Sequence, residues 1–280
     1  MSGAEVNVSI GLSRLGHKVE YLTRLGDDPF GHYIEKSLKK NNIGTALVTF
    51  DDVYRTGIQL KNRVTDGSDP YAPYYRKGSA ASHITTKEID AIDLTDVELV
   101  HVTGIPPALS KSAREATFRL MDRTKEAGIP LTFDPNLRPA LWEDEETMCT
   151  VINQLAAKAD YVLPGIGECK ILAGTDDKEK AADFYMEQGA KGVIIKDGSK
   201  GAYVQTANEQ FDVAGYKVEK VVDTVGAGDG FAVGVLSGIL EGLDLQTSVK
   251  RGNAIGAIQV MNIGDNEGLP TPEKLKAFQE

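Results

Sequence analysis

The sequence predicts an alternating α/β fold with a mainly parallel sheet covered by helices on both faces. Three observations carry this. Short β-branched runs alternate with longer helical patterns over most of the 280 residues. The composition, 41% hydrophobic and 26% charged, is that of an ordinary globular protein able to bury a large core. Helix signals punctuate the runs where a strand-helix rhythm needs them.

Taken in order, strands are expected at 18–23, 99–103, 131–133, 161–164, 193–196 and 202–205, and helices at 6–15, 30–40, 110–127, 145–157, 178–188 and 227–240. Asp28-Pro29 supplies a capping carboxylate and a proline for the first turn of the helix at 30–40. Gly16 and Gly128 stand where a left-handed residue closes a helix. Residues 46–82 break the rhythm: only extended pieces, 56–63 and 74–76, surround a turn at 66–70. A stretch this long without helix is expected to be a small β-rich lid rather than a loop. The domains are then residues 1–45 with 83–280, and the lid at 46–82. A helical pattern starts almost at Met1, whereas an alternating fold ordinarily opens on a strand, so the first strand is expected to be missing from this sequence.

Composition also narrows function. A formal net charge of −10 argues against a nucleic-acid partner, which needs a basic face. No apolar run approaches the roughly 20 residues of a membrane helix. The N-terminus lacks a basic start followed by an apolar run, so the cytoplasm is the expected compartment. Cys149 and Cys169 show no repeated spacing, and idle thiols are expected.

The most informative run is Asp223-Thr224-Val225-Gly226-Ala227-Gly228-Asp229, between an extended stretch at 217–222 and the helix at 227–240. Backbone N–H groups at a helix start, with the dipole behind them, form an anion site, and glycine lets a phosphate approach the chain. Asp229, in the first turn, is placed to take a proton from a hydroxyl held beside that anion. A bare Gly-x-Gly-Asp is as readily a tightly packed helix start. Phe231 stands where a dinucleotide motif has its third glycine, and no Walker-type loop or paired zinc-binding histidine motif occurs.

The full Asp-Thr-x-Gly-Ala-Gly-Asp run closely resembles the second signature of the PfkB, or ribokinase-like, family of carbohydrate kinases. Gly3-Ala4-Glu5-Val6-Asn7 and Arg24-Leu25-Gly26-Asp27-Asp28 resemble its N-terminal stretches, and the likeness spans essentially the whole chain. It implies a ribokinase-like three-layer sandwich with a lid, ATP and Mg2+ as cofactors, and a catalytic site at Asp229 with the Gly226, Ala227 and Gly228 turn. Tyr74-Tyr75-Arg76 and Phe133-Asp134-Pro135-Asn136-Leu137-Arg138 are most similar to kinases of 2-keto-3-deoxygluconate. That subgroup implies substrate contacts from Gly3, Ala4, Asn7, Tyr74, Tyr75, Arg76, Arg138, Asp229 and Asp265, the arginines reading a carboxylate. Gln59 stands where the subgroup carries a tyrosine. For the nucleotide the resemblance implies Lys196, Gly198, Ser199, Gly201, Gly226, Gly228 and Asn253. Glu168 is implied near the metal, with Gly165 in place of the family's asparagine. Fructokinase or another sugar kinase of this family, and a non-catalytic sugar-binding regulator on the same fold, are the alternatives. A homodimer, or dimer of dimers, pairing through the lids is also implied.

Overall fold

The computed structural model describes residues 1–60 and 73–280. The expected turn at 66–70 and the end of the extended piece at 56–63 therefore lie outside the described residues.

The strands are β1 (Thr23–Gly26), β2 (Val48–Asp51), β3 (Ile58–Gln59), β4 (Tyr74–Tyr75), β5 (Val100–Thr103), β6 (Leu131–Asp134), β7 (Tyr161–Val162), β8 (Gly192–Lys196), β9 (Gly201–Thr206) and β10 (Gln210–Ala214). The helices are α1 (Ala4–Arg14), α2 (Pro29–Lys40), α3 (Thr86–Asp90), α4 (Pro106–Leu109), α5 (Lys111–Glu126), α6 (Glu145–Ala156), α7 (Ile166–Leu172), α8 (Lys178–Glu187), α9 (Ala227–Leu240), α10 (Leu245–Val260) and α11 (Pro272–Gln279).

A six-stranded sheet runs β10-β9-β8-β7-β6-β5, with β5 to β8 parallel and the two final strands antiparallel. Its two faces can be read from alternate residues. Val193, Ile195 and Tyr203 pack into one core with Leu155, Met148, Met121 and Tyr185 of the helices on that side. Their neighbours Ile194, Ala202 and Val204 pack into another with Val8, Ile10, Val233, Leu236 and Ile255. Three layers result, as the alternating pattern requires.

Two expected segments moved. The strand expected at 18–23 makes only an isolated bridge, Glu20 to Gly44, and its ladder starts at Thr23, opposite Val48. Alternation in Lys18–Leu22 is real, but the partner strand comes into register only at its end. The extended stretch at 217–222 joins no strand; what holds its end is Val222 N–H donating to the Val260 carbonyl at 2.7 Å. β1 pairs with β2 in parallel as a separate two-stranded sheet. Antiparallel β3 and β4 pair Ile58 with Tyr75 and Gln59 with Tyr74.

The helix signals operate as chemistry requires. Asp28 Oδ1 accepts from the N–H groups of Phe30 and Gly31, and Oδ2 from Thr56. Burial pushes its carboxyl up, but these N–H donors outweigh that and hold it below the ordinary range. Gly16 and Gly128 close their helices with φ of 97° and 69°. Among the described residues, no helix is long and apolar enough to cross a membrane.

Helix α9 is buried continuously from Gly230 to Gly238. Glycines make this close packing possible. A Cβ on Gly234 would lie 2.4 Å from the Gly252 backbone nitrogen of α10, and one on Gly11 of α1 would lie 2.4 Å from a Val233 methyl. Where α9 ends, Arg251 from the middle of α10 grips Glu241 with both terminal nitrogens, at 2.7 and 2.8 Å, and donates to the buried Ser237 hydroxyl at 2.8 Å.

Candidate active site

Parallel strands deliver their carboxyl ends to one edge of the sheet, where α/β proteins bind ligands. Strand β6 ends in Asp134 and β8 in Lys196, each a charge closing a buried apolar run. Their side chains meet at 2.6 Å, with Asp134 only 2% exposed. Burial alone would lower the Lys196 ammonium; the carboxylates of Asp134, Glu168 and Asp229 together hold it above its ordinary value. Asp134 itself is pushed upward by burial, against the pull of Lys196.

The glycine turn meets this edge. Gly226 caps α9 with φ 76°, the left-handed region, and a Cβ there would lie 2.2 Å from the Asp265 carbonyl oxygen. At Gly228 there is room: the nearest atom to an added Cβ is the Lys196 ammonium, at 3.9 Å. Gly230 N–H is the first to reach back along the helix, to the Gly226 carbonyl at 2.8 Å. The N–H groups of Gly228 and Asp229 find no acceptor within their own helix, as first-turn donors never do. Such an arrangement can hold an anion, with an ammonium alongside.

Asp229 Oδ2 accepts from the Asn7 side-chain amide of α1 at 2.7 Å, and Oδ1 faces the Asn136 amide at 3.4 Å. Asn7 is in turn held through its Oδ1 by Asn266, at 3.0 Å. Burial raises the Asp229 carboxyl above its ordinary value; Asn7, Lys196 and Arg138 oppose that, and Glu5 adds to it. A raised, oriented carboxylate beside an anion site can accept a proton from an alcohol.

The structure thus brings Asn7, Gly226, Ala227, Gly228, Asp229, Lys196 and Arg138 to one place, with the Asp265 backbone against Gly226. Arg138 is half-buried, and its Nη1 donates to the Leu137 carbonyl at 2.8 Å. Gly3, whose carbonyl takes the Asn7 N–H, and buried Ala4 open α1 at the same edge. The Arg76 guanidinium carbon lies 5.7 Å from the Tyr74 ring centre, while Tyr75 is 61% exposed. These three sit on or next to β4, off the main sheet.

Other expected residues have local duties. Gly198 and Ser199 form an exposed turn between β8 and β9, and Gly201, at φ 106°, lies against the β10 backbone. Asn253 donates its amide hydrogens to the Val213 and Ala214 carbonyls at 3.0 and 3.1 Å, which ties α10 to β10. Glu168 accepts from Gly165 N–H at 2.7 Å and Leu137 N–H at 2.8 Å, so it caps α7 and pins the loop after β6. Among the described residues, no three of His, Cys, Asp and Glu cluster as metal ligands. The thiols are unpaired, and burial pushes Cys169 up to about 12.

Sequence reasoning passed over Asp134, Asn136, Glu5 and Asn266. Glu5 accepts from the Thr103 hydroxyl at the end of β5. The signal for Asp134 was available: a charge terminating a fully buried strand.

The chain as a whole is similar to known proteins. The profile described as pfkB family carbohydrate kinase matches residues 1–272. A 2-dehydro-3-deoxygluconokinase of Bacillus subtilis (strain 168) is 47% identical over 279 residues, 99% of this chain and 86% of that protein. Another of the same name from Thermoproteus tenax is 33% identical, over 99% and 86%. Among solved structures, a PfkB protein from Polaromonas sp. JS666 superposes with a TM-score of 0.90 at 44% identity, covering 99% of this chain and 89% of that one. A fructokinase from Vibrio cholerae O395, solved with fructose, ADP and a calcium ion, gives 0.91 at 29% identity, covering 100% and 91%.

Proposed function

Since this chain belongs to the pfkB family of carbohydrate kinases, we propose that it transfers the γ-phosphate of ATP to the terminal hydroxyl of 2-keto-3-deoxygluconate, giving the 6-phosphate. The observation that carries the reaction is the Asp229 carboxylate, held by Asn7 at 2.7 Å beside the open amides of the glycine turn. In this reading the acceptor hydroxyl lies against Asp229. As its oxygen bonds to the γ-phosphorus, the bond to the bridging oxygen of ADP breaks and the hydroxyl proton passes to Asp229. The transition state is loose, so proton loss comes late and a modest base suffices. Amides of Gly228 and Asp229 hold the phosphoryl oxygens.

The nucleotide enters with magnesium, which neutralises phosphate charge. Magnesium takes most of its ligands from phosphates and water. The donor set fits that: both Glu168 oxygens already accept backbone N–H groups, which leaves them lone pairs for metal-bound water. The turn at Gly198, Ser199 and Gly201 and the helix around Asn253 would flank the nucleotide. Asp265, whose backbone seats Gly226, would face the sugar. The acid is supported by the relatives' names and by the Arg138 cation, which acts on Asp229; Arg76, over the Tyr74 ring, would supply a second cation from β4. Lid pairing of two copies and a cytoplasmic location complete the proposal.

A panel of 2-keto-3-deoxygluconate, fructose and ribose with coupled detection of ADP tests it. Preference for the sugar acid is expected; a preference for fructose would replace the substrate, and no ADP with any acceptor would favour a binding protein. Arg138→Ala should cost the acid about 10–100-fold in kcat/KM, the worth of a charge-assisted pair, and a neutral sugar far less.

A further inference from the structure

Asp134 and Lys196 are 62 residues apart and form a nearly dry ion pair. Such a pair contributes little to stability, because desolvation consumes most of the attraction. Its position suggests another use. The ammonium lies beside the turn that would hold the phosphoryl group, 3.9 Å from where a Gly228 Cβ would stand. Asp229 and Glu168 are the competing carboxylates that act on the same ammonium. Asp134 takes it, through Oδ2 at 2.6 Å. With Oδ1, Asp134 accepts the Asn136 N–H at 3.1 Å and so fixes a residue at φ 42°, outside the usual range for a side-chain-bearing residue. Asn136 in turn presents its amide to Asp229.

We propose that Asp134 is a positioning residue for phosphoryl transfer: it aims the Lys196 ammonium at the γ-phosphoryl group, keeps that cation off Asp229, and orients Asn136 against the base. The proposal rests on the kinase reading above but not on which sugar is the acceptor. Without Asp134, the ammonium would fold onto Asp229 or Glu168, and the base would be engaged before an alcohol arrived.

The test uses the full chain, ATP with magnesium, and whichever acceptor the wild type phosphorylates best. Asp134→Asn is expected to lower kcat about 10–100-fold and Lys196→Met about 100-fold or more, with the acceptor KM within about threefold. If Asp134 acts through Lys196, the double variant is no worse than Lys196→Met by more than about threefold. Calorimetry without acceptor should show both single variants weakening ATP about tenfold while ADP stays within about threefold, since only ATP carries the γ-phosphate. Losses that multiply in the double variant, equal weakening of ATP and ADP, or an unchanged kcat in Asp134→Asn would each overturn the proposal. Should Asp134→Asn fail to fold, Lys196→Met decides through the same two nucleotides: an ammonium that merely neutralises Asp134 would affect both alike. A wild type that prefers an unexpected sugar would revise the substrate and leave this comparison intact.

Discussion

Replacing Gly226 with alanine tests the phosphate turn most directly. Two costs follow from the structure. At φ 76° an L-residue is strained by about 1–2 kcal/mol. The added carbon would also lie 2.2 Å from the Asp265 carbonyl oxygen, more than about 1 Å inside ordinary contact. That oxygen is backbone, so the turn itself must move by about that much. Shifting a positioning group by about 1 Å costs roughly 100-fold in rate. Gly226→Ala should therefore lose about 100-fold in kcat and about 2–5 kcal/mol in stability, of which the crowding supplies the part expected for overpacking. Gly228→Ala is the control. Its Cβ would have 3.9 Å to the nearest atom, so its melting temperature should stay within about 2 °C of the wild type. The methyl group would nevertheless stand where a phosphate must approach, and the KM for ATP should rise about tenfold or more. Steady-state kinetics and thermal melts on both variants separate the effects. Wild-type kinetics in Gly228→Ala, or a Gly226→Ala protein with full stability and rate, would refute the reasoning.

Asp229→Asn should lower kcat about 100–10,000-fold, and the acid limb of kcat/KM in the wild type should fall above the ordinary carboxylate range, because burial raises this group. A carboxyl raised in the folded state contributes stability at low pH that is lost as pH rises through its folded value. The same variant should therefore melt no lower than wild type at neutral pH; a clear drop would contradict the burial argument. Arg251→Met should cost about 1–2 kcal/mol, discounted for the 40% exposure of the Glu241 side chain. Arg251 holds the Glu241 carboxyl below its ordinary value, so this penalty should be present at neutral pH and shrink as acid protonates Glu241. A penalty that grew in acid would rule the pair out as its source. Gly234→Ala, with its Cβ 2.4 Å from the α10 backbone, should cost about 1–3 kcal/mol by denaturant unfolding. A neutral result would mean that the two helices part easily.

The phosphate turn and the Asp28-Pro29 cap were legible because each is a local device: a few consecutive residues dictate their own backbone. Layering was legible too, since Val193 to Lys196 alternates between two cores as strand geometry demands. What escaped depends on tertiary contact. Asp134 and Lys196 lie on strands separated by β7, and nothing near either residue names the other. The left-handed Asn136 suits asparagine and is held locally by Asp134 two residues before it, but its approach to Asp229 on α9 is not written in either segment. Strand β1 was misplaced because its partner, Val48–Asp51, decides where pairing begins. Helix α10, with glycines at its crossing with α9, carries a weak amphipathic signal precisely because it packs so closely that small residues replace large ones.

That crossing determines which half of the reaction centre travels. A helix packed this closely against α10 and α1 resists sliding or tilting toward a sugar, so in the proposed reaction the proton acceptor and the phosphate cradle would act as a fixed anvil. In the proposed reaction, closure around the reactants would then fall to the thin pair of strands β3 and β4, which carries Tyr74 and Tyr75. Substitutions at Gly234, more than a turn beyond Asp229, or at Gly252 on the facing helix would blunt the anvil without altering a residue assigned to the substrate.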